Sequence, residues 1–196
     1  MEQSSLVRNG VDIKRLTGTI KAISADPSLG KFQFRLSNKW INGGYNQSFI
    51  KGFYGASQED ATRSEPFIYD NDEPDILLGE NKAPNPVEFV LHALAGCLTT
   101  SMVYHAAARG YKIKKVNSSL EGDLDIRGLL DIEGAERKGY RALRINFDIE
   151  GDFTGEEKEA ILALGPSFSP VFDIVRNGVP ISVSLSNAVK EVELDC

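Results

Sequence analysis

Cysteine and histidine are scarce in this chain, two of each among 196 residues. Two cysteines without a CxxC pair exclude a disulfide framework, and two histidines leave no zinc-type spacing. Cations are outnumbered, with 22 Lys and Arg against 28 Asp and Glu, and the formal net charge is −6. That balance argues against a nucleic-acid partner, which needs a basic face, and against docking on an anionic membrane. Walker and dinucleotide loops are missing, since SLGKF and GENKAPN do not fit the required spacings. There is no GxSxG, and no pair of carboxylates stands out from the surface acids. No cofactor or metal is expected. The N-terminal MEQSSLVRNGVDIKRL lacks the basic-then-apolar pattern of a signal peptide. With so few cysteines, a reducing, cytoplasmic setting is expected.

What is present is ordinary globular material, 41% hydrophobic and 26% charged. The length suits one compact unit with an appended segment. We divide it into an N-terminal helical extension over residues 1–30 and a single domain over 31–196.

The most informative stretch is PNPVEFVLHALAGCLTTSMVYHAAAR, residues 84–109, which has no charged residue between Glu88 and Arg109. Asn85 and Pro86 suit a helix N-cap and first turn, and Gly110 suits its end. A bilayer could be spanned by this length, but His92, Thr99, Thr100, Ser101, Tyr104 and His105 favour a buried core helix. A helix apolar all round must be covered on nearly all sides. One sheet hides one side only, so a second copy of the chain is the simplest cover.

Around it, Ile13, Leu16, Ile20 and Ile23 predict an amphipathic helix over 10–25, ended by Asp26, Pro27 and Gly30. Phe32, Phe34 and Leu36 alternate with polar residues and predict a half-buried strand. Asn42, Gly43 and Gly44 signal a hairpin into a strand through Tyr45, Gln47 and Phe49. PFIY (66–69) reads as a third strand, and 70–85 as an acidic loop. Leu120, Gly122, Leu124 and Ile126 form one alternating series, and Leu143, Ile145, Phe147 and Ile149 another, with a polar turn at 133–139. Helices follow, from Thr154 to Gly165 and Pro166, and from Ser169 and Pro170 to Asn177 and Gly178. Val179, Ile181, Val183 and Leu185 predict a last strand. Neighbouring strands in this order give an α+β class with antiparallel pairing.

Cys97, near the middle of the long helix, is the one strong nucleophile placed in a structural element. A buried free thiol is ordinarily an inert small hydrophobe. Activation needs a lowered pKa, and the helix macrodipole fades beyond the terminal turns. Arg35, Arg63 or Arg176 would have to supply a cation. At 100° per residue, His92 lies about 140° and His105 about 80° from the thiol, so both read as core or interface residues.

PNPVEFVLHALAGC resembles the helix signature of the OsmC/Ohr family, the osmotically induced and organic-hydroperoxide-resistance proteins. SPVFDIVRNG (169–178) resembles the family's Cys-Pro-x₅-Arg segment. The intervening elements agree in order, so the resemblance covers about residues 31–190, and the helix at 10–25 resembles an addition found in one branch. The family implies an intertwined α+β homodimer with antiparallel sheets wrapped around two long central helices. It implies a helix thiolate that attacks an organic hydroperoxide, leaving a sulfenic acid that a second Cys converts to a disulfide. An Arg and a Glu at the dimer interface activate the thiol. Carried onto this chain, Cys97 matches the attacking position and Ser169 stands at the resolving one. Val87 stands where the peroxidase branch has its acid; Glu88 follows one residue later, as in the broader OsmC-like branch. Arg35 is the nearest match to the activating Arg, and Cys196 is an alternative resolver.

Three readings follow from these residues. The first is reduction of small organic hydroperoxides by Cys97 with an external thiol reductant. The second is binding of a small apolar ligand without turnover. The third is a stress protein with an inert thiol. The expected partner is a second copy, with no nucleic acid and no membrane.

Overall fold

The computed structural model describes residues 6–185, and Cys196 lies outside them. A short hairpin, β1 (Val7–Arg8) and β2 (Val11–Asp12), opens the chain. The sequence places a helix over 10–25; it begins only at Ile13, as α1 (Ile13–Ala25), because Asp12 caps it by accepting from the Arg15 amide. Asn9 and Arg8 tie the extension down. The Asn9 amide donates to the Tyr111 carbonyl and accepts from Ile113 N–H, and Arg8 donates to the Ala107 carbonyl.

Strands come in two three-stranded antiparallel sheets and one long hairpin. The expected strand through Phe32, Phe34 and Leu36 is split. Its first part, β3 (Gln33–Phe34), pairs with β6 (Phe53–Gly55), which pairs with β7 (Gln58–Asp60). Its second part, β4 (Ser37–Asn42), forms the expected hairpin with β5 (Tyr45–Ile50), and β5 pairs with β8 (Phe67–Asn71). Gly43 turns that hairpin at φ +54°, a left-handed conformation suited to glycine. Phe32, Phe34 and Leu36 do alternate, but they are 49%, 72% and 57% exposed. Of the three only Phe34 lies in a strand, and the described residues leave all three exposed.

The core lies around α2 (Pro86–Ala108). Asn85 and Glu88 close a capping box on its first turn. The hairpin of β9 (Ile113–Asp123) and β10 (Ala142–Gly151) packs on its C-terminal half. β9 starts seven residues before the expected Leu120 and ends before Leu124 and Ile126, so its second half alone carries the apolar alternation. The other face of the hairpin is held by Lys115 between Asp148 and Glu150, and by Arg144 across Glu121 and Asp123. Met102, Ala106, Ile149, Ile161 and Leu164 form the buried cluster between α2, β10 and α3 (Gly155–Phe168).

Helix α3 begins at the expected Thr154 cap but runs through Gly165 and Pro166 to Phe168. Proline in a last turn removes one donor without having to end the helix, and Ser167 donates back to the Ala163 carbonyl. Gly165 is where α3 meets α2, since a β-carbon there would lie 3.3 Å from the Leu98 carbonyl oxygen. Gly165→Val is expected to lose about 1–3 kcal/mol by overpacking, read as a lower urea midpoint. After α4 (Pro170–Asn177), residues 179–185 are described but form no strand. Val179, Ile181, Val183 and Leu185 are 52%, 80%, 94% and 95% exposed. No described strand pairs with them, so the predicted strand is not formed among the described residues.

The acidic loop before α2 folds around Asp72, which is buried and accepts from the Glu80 and Lys82 amides. These backbone hydrogen bonds, that from Lys82 first, hold its carboxyl below the usual carboxylate range. Such a group stabilises the fold above its unfolded pKa, and the stability is lost as pH falls through the folded one. Asp72→Asn is therefore expected to lower the melting temperature at pH 7, with the gap from wild type closing as pH falls below about 3.8.

Candidate functional site

Cys97 is half-buried on α2, between the buried Leu94 and Leu98. A methyl group on Gly96 would meet nothing within 4 Å, so the flank beside the thiol is open. The exposed face of α2 runs through Ala93, Gly96, Thr100, Tyr104 and Ala108, which include small and uncharged residues. Among the described residues, α2 alone is long and apolar enough to cross a membrane by length and composition. Here it packs against α3, β9 and α4.

One turn beyond Cys97, Ser101 donates to the Phe168 carbonyl at 3.3 Å. This brings the corner between α3 and α4 to the thiol-bearing side of α2. Ser169 is the corner residue, 3% exposed. Its hydroxyl caps α4 by accepting from the Phe172 amide at 3.1 Å. An open groove of about 630 Å³ follows the corner, lined in part by Phe168, Ser169, Pro170, Phe172 and Arg176. Its lining is mixed, with the rings of Phe168 and Phe172 beside Ser167, Asp173, Arg176 and Asn177.

The other sequence-selected residues are engaged elsewhere in the chain. Arg35, beside β3, makes a two-pronged ion pair with Glu59 at 2.7 and 3.0 Å and also bonds Gln33. Its pKa is raised by the hydrogen bond it donates to Glu59, and that of Glu59 is lowered by the same bond. Glu88 spends a carboxylate oxygen on the Asn85 amide. It precedes Cys97 by nine residues, about 13 Å along a helix axis, beyond hydrogen-bond reach in one chain. Arg63 lies over the rings of Phe53 and Phe67, 5.2 Å from each centre, and donates to the Lys51 carbonyl. His92 meets Phe89 edge to face.

Three contacts had no sequence signal. His105 stacks on Phe168, and Ser101 holds the same residue. Tyr140, from the loop between β9 and β10, donates to the Val87 carbonyl at 2.9 Å. Burial first, then the charge of Glu88, raises the Tyr140 pKa. Burial likewise raises Glu73, with Asp72 and Glu88 adding to it. The first turn of α2 is thus an acidic end closed by a phenol. The i to i+4 step from Cys97 to Ser101 is local to the helix, whereas Phe168 and Tyr140 come from other elements.

No curated protein matches the sequence. Among solved structures, the chain is similar to an OsmC-like protein from Mycoplasma pneumoniae. The two share 13% identity and a TM-score of 0.57, covering 74% of this chain and 88% of that one. It is also similar to an organic hydroperoxide resistance protein OsmC from Legionella pneumophila. There the identity is 18% and the TM-score 0.52, covering 74% of this chain and 91% of that one. At such identities these likenesses speak for the fold alone. The family model described as OsmC-like protein matches residues 79–184, from just before α2 past the end of α4. That match takes in both the thiol helix and the α3–α4 corner, and the chain belongs to the OsmC-like protein family.

Proposed function

We propose that this chain is a thiol-dependent reductase of organic hydroperoxides that works as a homodimer. The observation that carries the reading is the half-buried Cys97 on α2, beside an open flank and one turn from the α3–α4 corner. The Cys97 thiolate attacks one peroxide oxygen. The S–O bond forms as the O–O bond breaks, sulfur is oxidised to sulfenic acid, and the alkoxide leaves and takes a proton as the alcohol. Ser169 has no sulfur to resolve this species. A small external thiol therefore attacks the sulfenic sulfur, releasing water and leaving a mixed disulfide. A second thiol molecule frees Cys97 and leaves as the disulfide.

The dimer has its own support. The uncharged exposed face of α2, the open alternation of Phe32, Phe34 and Leu36, and the exposed segment 179–185 are apolar surfaces that a second copy would cover. Sedimentation equilibrium is expected to give twice the 21.5 kDa chain mass. A monomer at micromolar concentration would sink this part.

The activity is tested by stopped-flow consumption of cumene hydroperoxide by the reduced protein, with dimedone trapping of Cys97. One alcohol per trapped sulfenic acid supports the reading, and an unmodified thiol overturns it. A second reading, binding of a small apolar ligand without turnover, is favoured by serine at position 169, with the rings of Phe168 and Phe172 in the groove as its apolar part. Native mass spectrometry showing a retained apolar ligand together with an unreactive thiol would select it.

A further inference from the structure

Phe168 is gripped from α2 at two points. The His105 ring lies face to face on it, with centroids 3.6 Å apart and planes 16° off parallel. Ser101, one helical turn before His105, holds its carbonyl. Arg109 completes the arrangement: its Nη1 is 3.1 Å from His105 Nδ1, and its guanidinium carbon is 5.5 Å from the Phe168 ring centre. A guanidinium only donates, so Nδ1 is the acceptor and the ring proton sits on Nε2. The imidazole in this arrangement is neutral.

The charged groups around it are few. Arg109 is on its own helix, and Arg8 reaches the nearby Ala107 carbonyl from β1. From α4, Asp173 and Arg176 line the groove with Phe168. The last two turns of α3, residues 161–168, carry no charge. Among the described residues, no carboxylate bonds the ring. Burial first, and Arg109 second, lower its affinity for a proton.

We propose that His105 is a positioning residue, whose neutral ring, fixed by Arg109, clamps Phe168 and so holds Ser169 and the groove against the thiol-bearing side of α2. This rests on the thiol reading for its functional consequence. A protonated imidazole turns Nδ1 into a donor facing another donor, two cations with nothing between them. The Arg109 bond then breaks, and the corner loosens as pH falls below the ordinary histidine range.

Hydrogen exchange of the full chain, corrected for intrinsic rates, tests this at pH 7.5 and 5.5. The reporter is the peptide holding the Phe172 amide, which bonds Ser169 Oγ. Wild type is expected to be severalfold less protected there at pH 5.5 than at pH 7.5, because the closed corner holds the neutral ring. His105→Phe, which keeps a stacking ring without a titrating group, is expected to show no pH dependence. His105→Gln, with an amide but no ring, is expected to be weakly protected at both values. Unchanged protection in wild type, or the same pH dependence in His105→Phe, would overturn the clamp. Hydroperoxide consumption measured in parallel separates the two claims. An unreactive Cys97 with a pH-dependent corner removes the thiol reading and leaves the clamp. A reactive Cys97 with a pH-insensitive corner does the reverse.

Discussion

Cys97→Ser is expected to reduce cumene hydroperoxide consumption by on the order of a hundredfold or more, because a neutral hydroxyl is a far weaker nucleophile than a thiolate. Serine is nearly isosteric, and the site is half-buried, so the fold should survive; an unchanged circular dichroism melt is the control. Cys196 offers the only other sulfur nucleophile of this type in the chain, so Cys196→Ser is the paired measurement. Equal rates for Cys97→Ser and wild type remove the proposed chemistry. A loss only in Cys196→Ser moves it to the tail. The companion substitution is Ser169→Cys. With Cys97 one turn from Ser101, and Ser101 bonded to Phe168, a sulfur at 169 is expected to form a disulfide with Cys97 after peroxide treatment. Turnover should then require a dithiol. Sulfur caps a helix less well than a hydroxyl, so some stability in α4 is the accompanying loss.

Met102→Ala is expected to have the largest effect on stability, about 2–5 kcal/mol. Met102 has no exposed surface and sits at the centre of the buried cluster with Ala106, Ile149, Ile161 and Leu164. Its methyl also faces Gly165, with Met102 Cε 3.7 Å from where a β-carbon would be. The truncation therefore opens a cavity at the crossing of α2 and α3, bounded by a residue with no side chain to fill it. Chemical denaturation gives the value directly. A loss below about 1 kcal/mol would mean that the crossing collapses onto the void. In the proposed dimer the midpoint should also rise with protein concentration.

Local chemistry left a clear record in the chain. The caps at Asn85, Thr154 and Ser169 were legible because a side-chain acceptor and its amide lie within three residues. The hairpin at Gly43 was legible because its backbone needs a positive φ. The apolar run of 84–109 announced a central helix because no charge interrupts it. The two short hairpins, β1–β2 and β6–β7, are too brief to show a period. Alternation of Phe32 with Leu36 was read as a half-buried strand, and that of Val179 with Leu185 as a strand. It reports only that one face is apolar, and among the described residues that face stays open.

The sequence by itself determined the capped starts of α2, α3 and α4, the antiparallel character of the strands and the thiol at the middle of the apolar helix. These rest on contacts between residues close in the chain, or on a resemblance carried by two short motifs. Only the tertiary structure decided what surrounds that thiol. It joined Arg35 to Glu59, bent the Glu88 carboxylate back to its own helix cap, and stacked His105 on Phe168. Side chains far apart in sequence find their partners through packing of α2 against α3, α4 and the β9–β10 hairpin. No pattern along one segment encodes which surface of another segment it will meet.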